Sequence, residues 1–201
     1  KESKNMNKRC AVIFIDLDDF KRINDTLGHS YGDELLKIIG VLLRICAKDP
    51  ESVARTGGDE FSVILNNVSD ANEVSCYCEK IVNLFKIPLE IWEKHIYSSA
   101  SIAAAVFPDD GDDADSILKN VDVAMHKVKE SGKNKYIFYN NSMRDELLRR
   151  AEIDRALRDA LAGNEFNIYY QPQVDVKTGR IRGFEALLRW KSKTLGFVSP
   201  S

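Results

Sequence analysis

Residues 54–65 read ARTGGDEFSVIL: two adjacent glycines, two carboxylates, then the run Phe61-Ser62-Val63-Ile64-Leu65 with apolar residues at period two. Glycine tolerates positive φ and a short acid can bond its own backbone, so Gly57-Gly58-Asp59-Glu60 is competent as the turn of a β-hairpin. That is the ordinary reading of the tetrapeptide taken alone. The same bend also concentrates negative charge, and the rest of the chain decides whether it is a site as well as a turn.

Outward from the bend, strand-like runs cover residues 52–55 and 61–65. Upstream, residues 10–15 (CAVIFI) form a continuous run rich in branched side chains, which predicts a buried strand ending at Asp16. DFKRINDTL predicts a short helix broken at Gly28. Leu35, Leu36, Ile39, Leu42, Leu43 and Cys46 recur at helical spacing and predict a second helix from Asp33 to about Lys48, stopped by Asp49-Pro50. Downstream, residues 70–86 return to helical spacing, 96–106 read as a strand of small residues, 112–131 as a helix and KYIFY as a closing strand. This order predicts an α/β (α+β) fold, a central sheet with helices packed on it.

At Asn140-Asn141 the texture changes. SMRDELLRRAEIDRALRDALAGNEF predicts a charge-laced amphipathic helix closed by Gly163, where glycine suits a helix C-terminus. NIYYQPQVDV and RIRGFEALLRW then read as strands separated by a Thr178-Gly179 turn. A second domain begins here without the length to finish, and the chain does not open on Met, so a piece of a longer protein is expected.

Composition limits the partners. With 201 residues, 44% hydrophobic and 30% charged, the chain can bury a full core. A net charge of −2 with interspersed signs argues against a nucleic-acid or anionic-membrane surface and for a small-molecule partner. Cys10, Cys46, Cys76 and Cys78 lack zinc-type or C-x-x-C spacing and read as reduced core residues of a cytoplasmic protein. No stretch reaches the length of a membrane span or resembles a signal peptide, so membrane attachment is expected only through upstream segments.

The carboxylates carry the chemistry. Asp16 ends a buried strand, and Asp59 and Glu60 sit on a hairpin that packs beside it if both belong to one sheet. Hard oxygens converging there can hold Mg²⁺, which keeps several waters and takes one or two carboxylates plus substrate phosphates. Gly57 and Gly58 would let phosphates approach the backbone closely. Acidic strand ends are also common solvated caps, and Asp18 and Asp19 are read as such. FIDLDD also suits metal-dependent phosphoaspartate hydrolases, but those need a small hydroxylated residue after the second acid, where this chain has Phe20 and Lys21.

Three stretches, FIDLDDFKRINDTLGHSYGDELL, RTGGDEFSVIL and DVAMHKVKESGKNKYIFY, resemble successive signatures of the GGDEF domain family, the diguanylate cyclases, in the right order and spacing. The resemblance implies a mostly antiparallel sheet like that of nucleotidyl cyclases and polymerase palms, a GGDEF domain over residues 1–141, and condensation of two GTP to cyclic di-GMP and two pyrophosphates. It also implies a homodimer, because one domain offers one GTP site. It assigns Asp16, the Leu17 carbonyl, Asp59 and Glu60 to Mg²⁺ (or Mn²⁺), with Gly57 and Gly58 in the catalytic hairpin. Asn24 and Asp33 fall at positions that read guanine, with Phe20 in the substrate-binding set, and Lys129 and Lys133 at a phosphate-binding basic pair. An amide and a carboxylate suit guanine, which presents one acceptor and two donors on that edge. His29 is expected to order its loop. Two departures stand out: His126 where the family usually has Tyr, and Lys48-Asp49-Pro50-Glu51 where an Arg-x-x-Asp product-binding site often lies, so that site is expected to be absent.

YYQPQVDVKTGRIRGFEALLRW resembles the opening of an EAL domain, the cyclic di-GMP phosphodiesterase family. Residues 142–201 are therefore expected to be a linker helix and an incomplete EAL domain. The resemblance implies Glu185 as a metal ligand and Gln171 and Arg189 as substrate contacts. It also implies a TIM-like barrel, whose site draws ligands from many strand ends, so this stretch is not expected to hydrolyse anything. Three functions stay open: an active cyclase, a GTP-binding regulatory module that controls a downstream EAL phosphodiesterase, and a dimerising scaffold with a vestigial site.

Overall fold

Cys10–Leu17 (β1) is the middle strand of the larger sheet, and its alternation explains the layers on either side. In the computed structural model, which describes residues 9–199, Ala11, Ile13, Ile15 and Leu17 are almost wholly buried on one face. Val12 and Phe14 pack on the other. A strand covered on both faces needs apolar residues at both parities, which is why CAVIFI carries no polar interruption. Val53–Gly57 (β2) and Glu60–Asn66 (β3) form the hairpin of the opening stretch. Ala100–Phe107 (β6) and Tyr136–Phe138 (β7) complete a five-stranded sheet in the order β2-β3-β1-β6-β7. The β6–β7 pairing is parallel and the others are antiparallel.

Phe20–Leu27 (α1), His29–Cys46 (α2) and Ala71–Leu84 (α3) supply Ile23, Leu35, Ile39 and Ile81 to the core under one face. Of the four cysteines expected in the core only Cys78 lies there; Cys10 and Cys46 are half-buried, and Cys76, two positions from Cys78 on α3, faces away and is exposed. Ala114–Glu130 (α4) covers the other with Ile117, Val121 and Ala124 against Ala103 and Ala105. The small residues of β6 let α4 lie close to the sheet. Its first turn is fixed by a capping box in which Asp113 accepts from the Ser116 amide and the Ser116 hydroxyl accepts from that of Asp113.

Three boundaries differ from the sequence expectation. The helix expected from Asp33 starts at His29, because Gly28 at φ 94° turns the chain directly into it with no side-chain cap. The strand expected over 96–106 is split: β6 starts at Ala100, and Leu89–Ile91 (β4) and Lys94–Ile96 (β5) make a separate hairpin with Trp92 and Glu93 both at positive φ. Asn141–Ala160 (α5) stops before Gly163, and the left-handed residue there is Asn164 at φ 52°. A Cβ on Gly163 would lie 3.2 Å from the Asp159 carbonyl, so that glycine serves close approach.

The chain divides into two compact units, residues 1–144 and 145–201. The second holds a three-stranded sheet, order β10-β9-β8, of Phe166–Val174 (β8), Ile181–Ser192 (β9) and Gly196–Val198 (β10). Its small core gathers Ala160, Trp190 and Val198, and the Trp190 indole donates to Glu165 at 2.9 Å. Among the described residues no helix is long and apolar enough to cross a membrane.

Candidate active site

The hairpin turn is built by its backbone. Gly57 pairs with Glu60 across the strands, Gly58 turns at φ 41°, and the Arg55 guanidinium donates to the Gly58 carbonyl from Nε at 2.9 Å and Nη2 at 2.6 Å. Arg55 thus braces the bend from inside the hairpin, a role the sequence reading missed although the residue stands two positions before the glycine pair. The Leu17 amide donates to the Asp59 carbonyl at 3.3 Å, which ties the turn to the end of β1.

Asp16 stands opposite Glu60 on one side and Ser101 on the other, so these side chains share the α4 face of the sheet. Asp16 is 7% exposed, Asp59 is half-buried and Glu60 exposed. Lys129, from the last turn of α4, donates to Asp16 Oδ2 at 2.7 Å. Burial raises the Asp16 carboxyl above its ordinary value; Lys129 opposes that rise, and the nearby charges of Asp59 and Asp18 add to it. A cation is therefore welcome at this point. Among the described residues no three or more His, Cys, Asp or Glu side chains converge as a metal cage. Two carboxylates and a strand-end carbonyl fit Mg²⁺, which completes its shell with water and phosphate.

The second lysine lies beside the same strand end. Lys133 donates to Asp19 Oδ1 at 2.8 Å, which holds that carboxyl below its usual range and the ammonium above its own. Asp18 corrects the expectation of a solvated cap. It is 6% exposed and accepts from the Ser99 and Ser101 hydroxyls, each at 2.6 Å, and from the Asn134 amide at 3.1 Å. Its partners lie far along the chain, so the local sequence gave no sign of them.

Asn24 on α1 and Phe20 at its start meet α2 at Gly32. A Cβ on Gly32 would fall 1.9 Å from Asn24 Oδ1 and 3.0 Å from Phe20 Cζ, so the buried glycine is what lets the amide lie there. Asn24 Oδ1 is buried without a hydrogen-bond partner among the described residues. Asp33, one residue beyond Gly32, is exposed. It also lines an open cleft of about 560 Å³ with Arg44, Val53, Arg55 and Phe61, which Asp16, Asp59 and the two lysines do not line. His29 is the exposed first residue of α2, and His126 faces Glu130 at 3.6 Å within α4. Lys48 is paired with Glu73 at the start of α3, and Asp49 accepts from the Glu51 amide.

In the second unit Gln171 stands directly opposite Glu185, and Asn167 opposite Arg189, so Gln171, Glu185 and Arg189 share one face of the sheet. The Arg189 guanidinium lies 5.7 Å from the centre of the Tyr169 ring on that face.

A five-stranded sheet with a braced acidic turn beside a buried strand-end carboxylate defines a GGDEF-type fold. The chain belongs to the family described as diguanylate cyclase, GGDEF domain, which it matches over residues 1–135; residues 154–201 match the EAL domain. It is 34% identical to the cyclic di-GMP phosphodiesterase NbdA of Pseudomonas aeruginosa, over 96% of this chain and 24% of that protein. It is 36% identical to the bifunctional diguanylate cyclase/cyclic di-GMP phosphodiesterase MucR of the same organism, over 96% of this chain and 28% of the other. The chain thus spans about a quarter of the length of these curated relatives. Among solved structures, the GGDEF domain of YfiN (TpbB) from Pseudomonas aeruginosa superposes with a TM-score of 0.69 at 29% identity, covering 73% of this chain and 86% of that one.

Proposed function

We propose that residues 1–141 are a diguanylate cyclase domain that condenses two GTP to cyclic di-GMP and pyrophosphate as a homodimer. The observation that carries this reading is the meeting of Asp16, the Asp59 turn and Lys129 at one strand end. Asp16, Asp59 and the Leu17 carbonyl would hold Mg²⁺ (or Mn²⁺), with Glu60 beside them. The ion, when bound, supplies charge stabilisation at the phosphate under attack. Lys129 and Lys133 exchange their carboxylate partners for the triphosphate oxygens and orient the chain of phosphates. Gly57 and Gly58 keep the turn free of side chains where the phosphates pass. Asn24 and Asp33 select guanine, with Phe20 fixing the start of α1. Two domains face to face place each 3′-hydroxyl at the other's α-phosphate.

The likeness to NbdA supports a second reading, in which the domain binds GTP without turning it over and regulates an EAL phosphodiesterase. Glu185, Gln171 and Arg189 would then belong to the first strands of that partner domain. A cytoplasmic site of action follows from GTP as substrate. Incubation with GTP and Mg²⁺, followed by chromatography for cyclic di-GMP, separates the two: product supports the cyclase, and GTP binding without product supports the regulatory module.

A further inference from the structure

We propose that Asp18 is a positioning residue that locks the Gly132–Asn134 loop so that Lys129 and Lys133 are presented together to the triphosphate of GTP. This rests on the reading of the two lysines as phosphate-binding. Gly132, Lys133 and Asn134 follow one another at φ 106°, 58° and 48°. Two successive side-chain-bearing residues in the left-handed region are disfavoured, and such a loop persists only where its surroundings over-determine it. The Lys133 amide is held by the Val128 carbonyl, and the carbonyl of Lys135 accepts from Ile102. Between those two points the Asn134 amide has the Asp18 carboxylate as its partner, at 3.1 Å.

Asp18 is itself held on three sides. Its backbone amide donates to the Ser99 carbonyl at 2.8 Å, and its two oxygens accept from the hydroxyls of Ser99 and the fully buried Ser101. The carboxylate therefore joins the end of β1, the start of β6 and the loop after α4 in one knot. Asp16 and Asp19, two and one positions away, are the residues that the lysines touch. A loosened loop would move Lys133 directly and release the end of α4 that carries Lys129.

The knot needs acceptor geometry more than charge. In Asp18→Asn the amide oxygen can accept from Ser99 and from the Asn134 amide, while the amide nitrogen donates to Ser101, whose hydroxyl accepts as readily as it donates. Asp18→Ala removes all three contacts. Calorimetric affinity for GTP and NMR titration with GMP, both with Mg²⁺, are measured for the unmutated chain, Asp18→Asn and Asp18→Ala, alongside hydrogen exchange of the Asn134 amide.

Asp18→Ala is expected to weaken GTP by about tenfold or more while GMP, which lacks the outer phosphates, changes by less than about twofold; Asp18→Asn stays within about threefold for both. Should Asp18→Ala not fold, Asp18→Ser, which lacks the second oxygen and is too short to serve Ser99, Ser101 and the Asn134 amide together, replaces it with the same expectation. Unchanged GTP affinity in Asp18→Ala, equal losses for GTP and GMP, or an Asn variant as weak as the Ala variant each overturn the proposal. If the unmutated chain binds no GTP, the cyclase reading fails instead. Asn134 exchange then still decides the knot: fast in Asp18→Ala and slow in Asp18→Asn supports it, and equal exchange in both overturns it.

Discussion

Lys129 donates to Asp16 across 113 positions of sequence, and the carboxylate it meets is one that burial has pushed toward its neutral form. A strand end that is poor for the ionised acid in isolation becomes favourable when a cation is present. Ionising Asp16 therefore costs the folded protein some stability, a pattern expected where a metal or a phosphate-bound lysine is to be accommodated.

Removing that charge should relieve the fold and abolish turnover. Because the pKa is raised, the native state binds more protons than the unfolded chain just above the ordinary carboxylate value, so stability from this group falls as pH rises through that window. Asp16→Asn is expected to melt at or up to roughly 5 °C above the unmutated chain at neutral pH, and to lose cyclase activity by about a hundredfold or more. Scanning calorimetry and the GTP assay check both; a fall in melting temperature beyond a few degrees would contradict it.

Gly32 should behave as a specificity residue although it touches no substrate. Gly32→Ala forces Asn24 away, since the new methyl would sit 1.9 Å from its Oδ1. The KM for GTP is expected to rise about tenfold, the order of one buried hydrogen bond. On an Asn24→Ala background the same substitution should cost less, because the 1.9 Å clash is gone and only the 3.0 Å approach to Phe20 Cζ remains; equal losses on both backgrounds would refute the coupling.

The Lys48–Glu73 pair sets part of the acid limb. Glu73 is lowered to about 2 by its bond from Lys48 and by the Ser69 amide. A depressed acid contributes stability present above the unfolded value and lost as pH falls through the folded one, here from about 4.5 to about 2. Glu73→Gln should flatten the decline of melting temperature between those pH values. An unaltered acid limb would show that the exposed pair is fully screened.

Product feedback should be weak. Lys48 is engaged with Glu73, and Asp49 bonds the Glu51 amide, so the side chains where an inhibitory motif often lies already serve the helix end. Lysine also lacks the planar fork that grips a guanine edge and a phosphate together. Added cyclic di-GMP is expected to inhibit only by competition with GTP. Tight product binding with non-competitive inhibition, both lost in Lys48→Ala, would contradict this.

Much of this architecture was legible from local pattern. CAVIFI reads as a doubly covered strand because both parities are apolar, and the Gly57-Gly58 turn reads from conformational freedom alone. The start of α2 was not legible, because Gly28 replaces the side-chain cap and Asp33 imitates one four residues too late. The β4–β5 hairpin was hidden because Trp92 and Glu93 take the left-handed conformations usually given to Asn and Gly. Asp18 looked like a solvated cap because Ser99, Ser101 and Asn134 reach it only once β6 and the loop after α4 are in place. Lys129 and Lys133 had no local mark of function; family resemblance alone distinguished them from a solvated helix end.

The most direct test of the whole account is the conversion of GTP with Mg²⁺ by the unmutated chain and by Asp59→Asn, followed by chromatography of the products. The account predicts cyclic di-GMP from the unmutated chain, at a specific rate that rises with protein concentration, and a loss of about a hundredfold or more in Asp59→Asn with the melting temperature preserved. Activity of Asp59→Asn within a few-fold of the unmutated chain, or GTP binding with no product from the unmutated chain at any concentration, would contradict it.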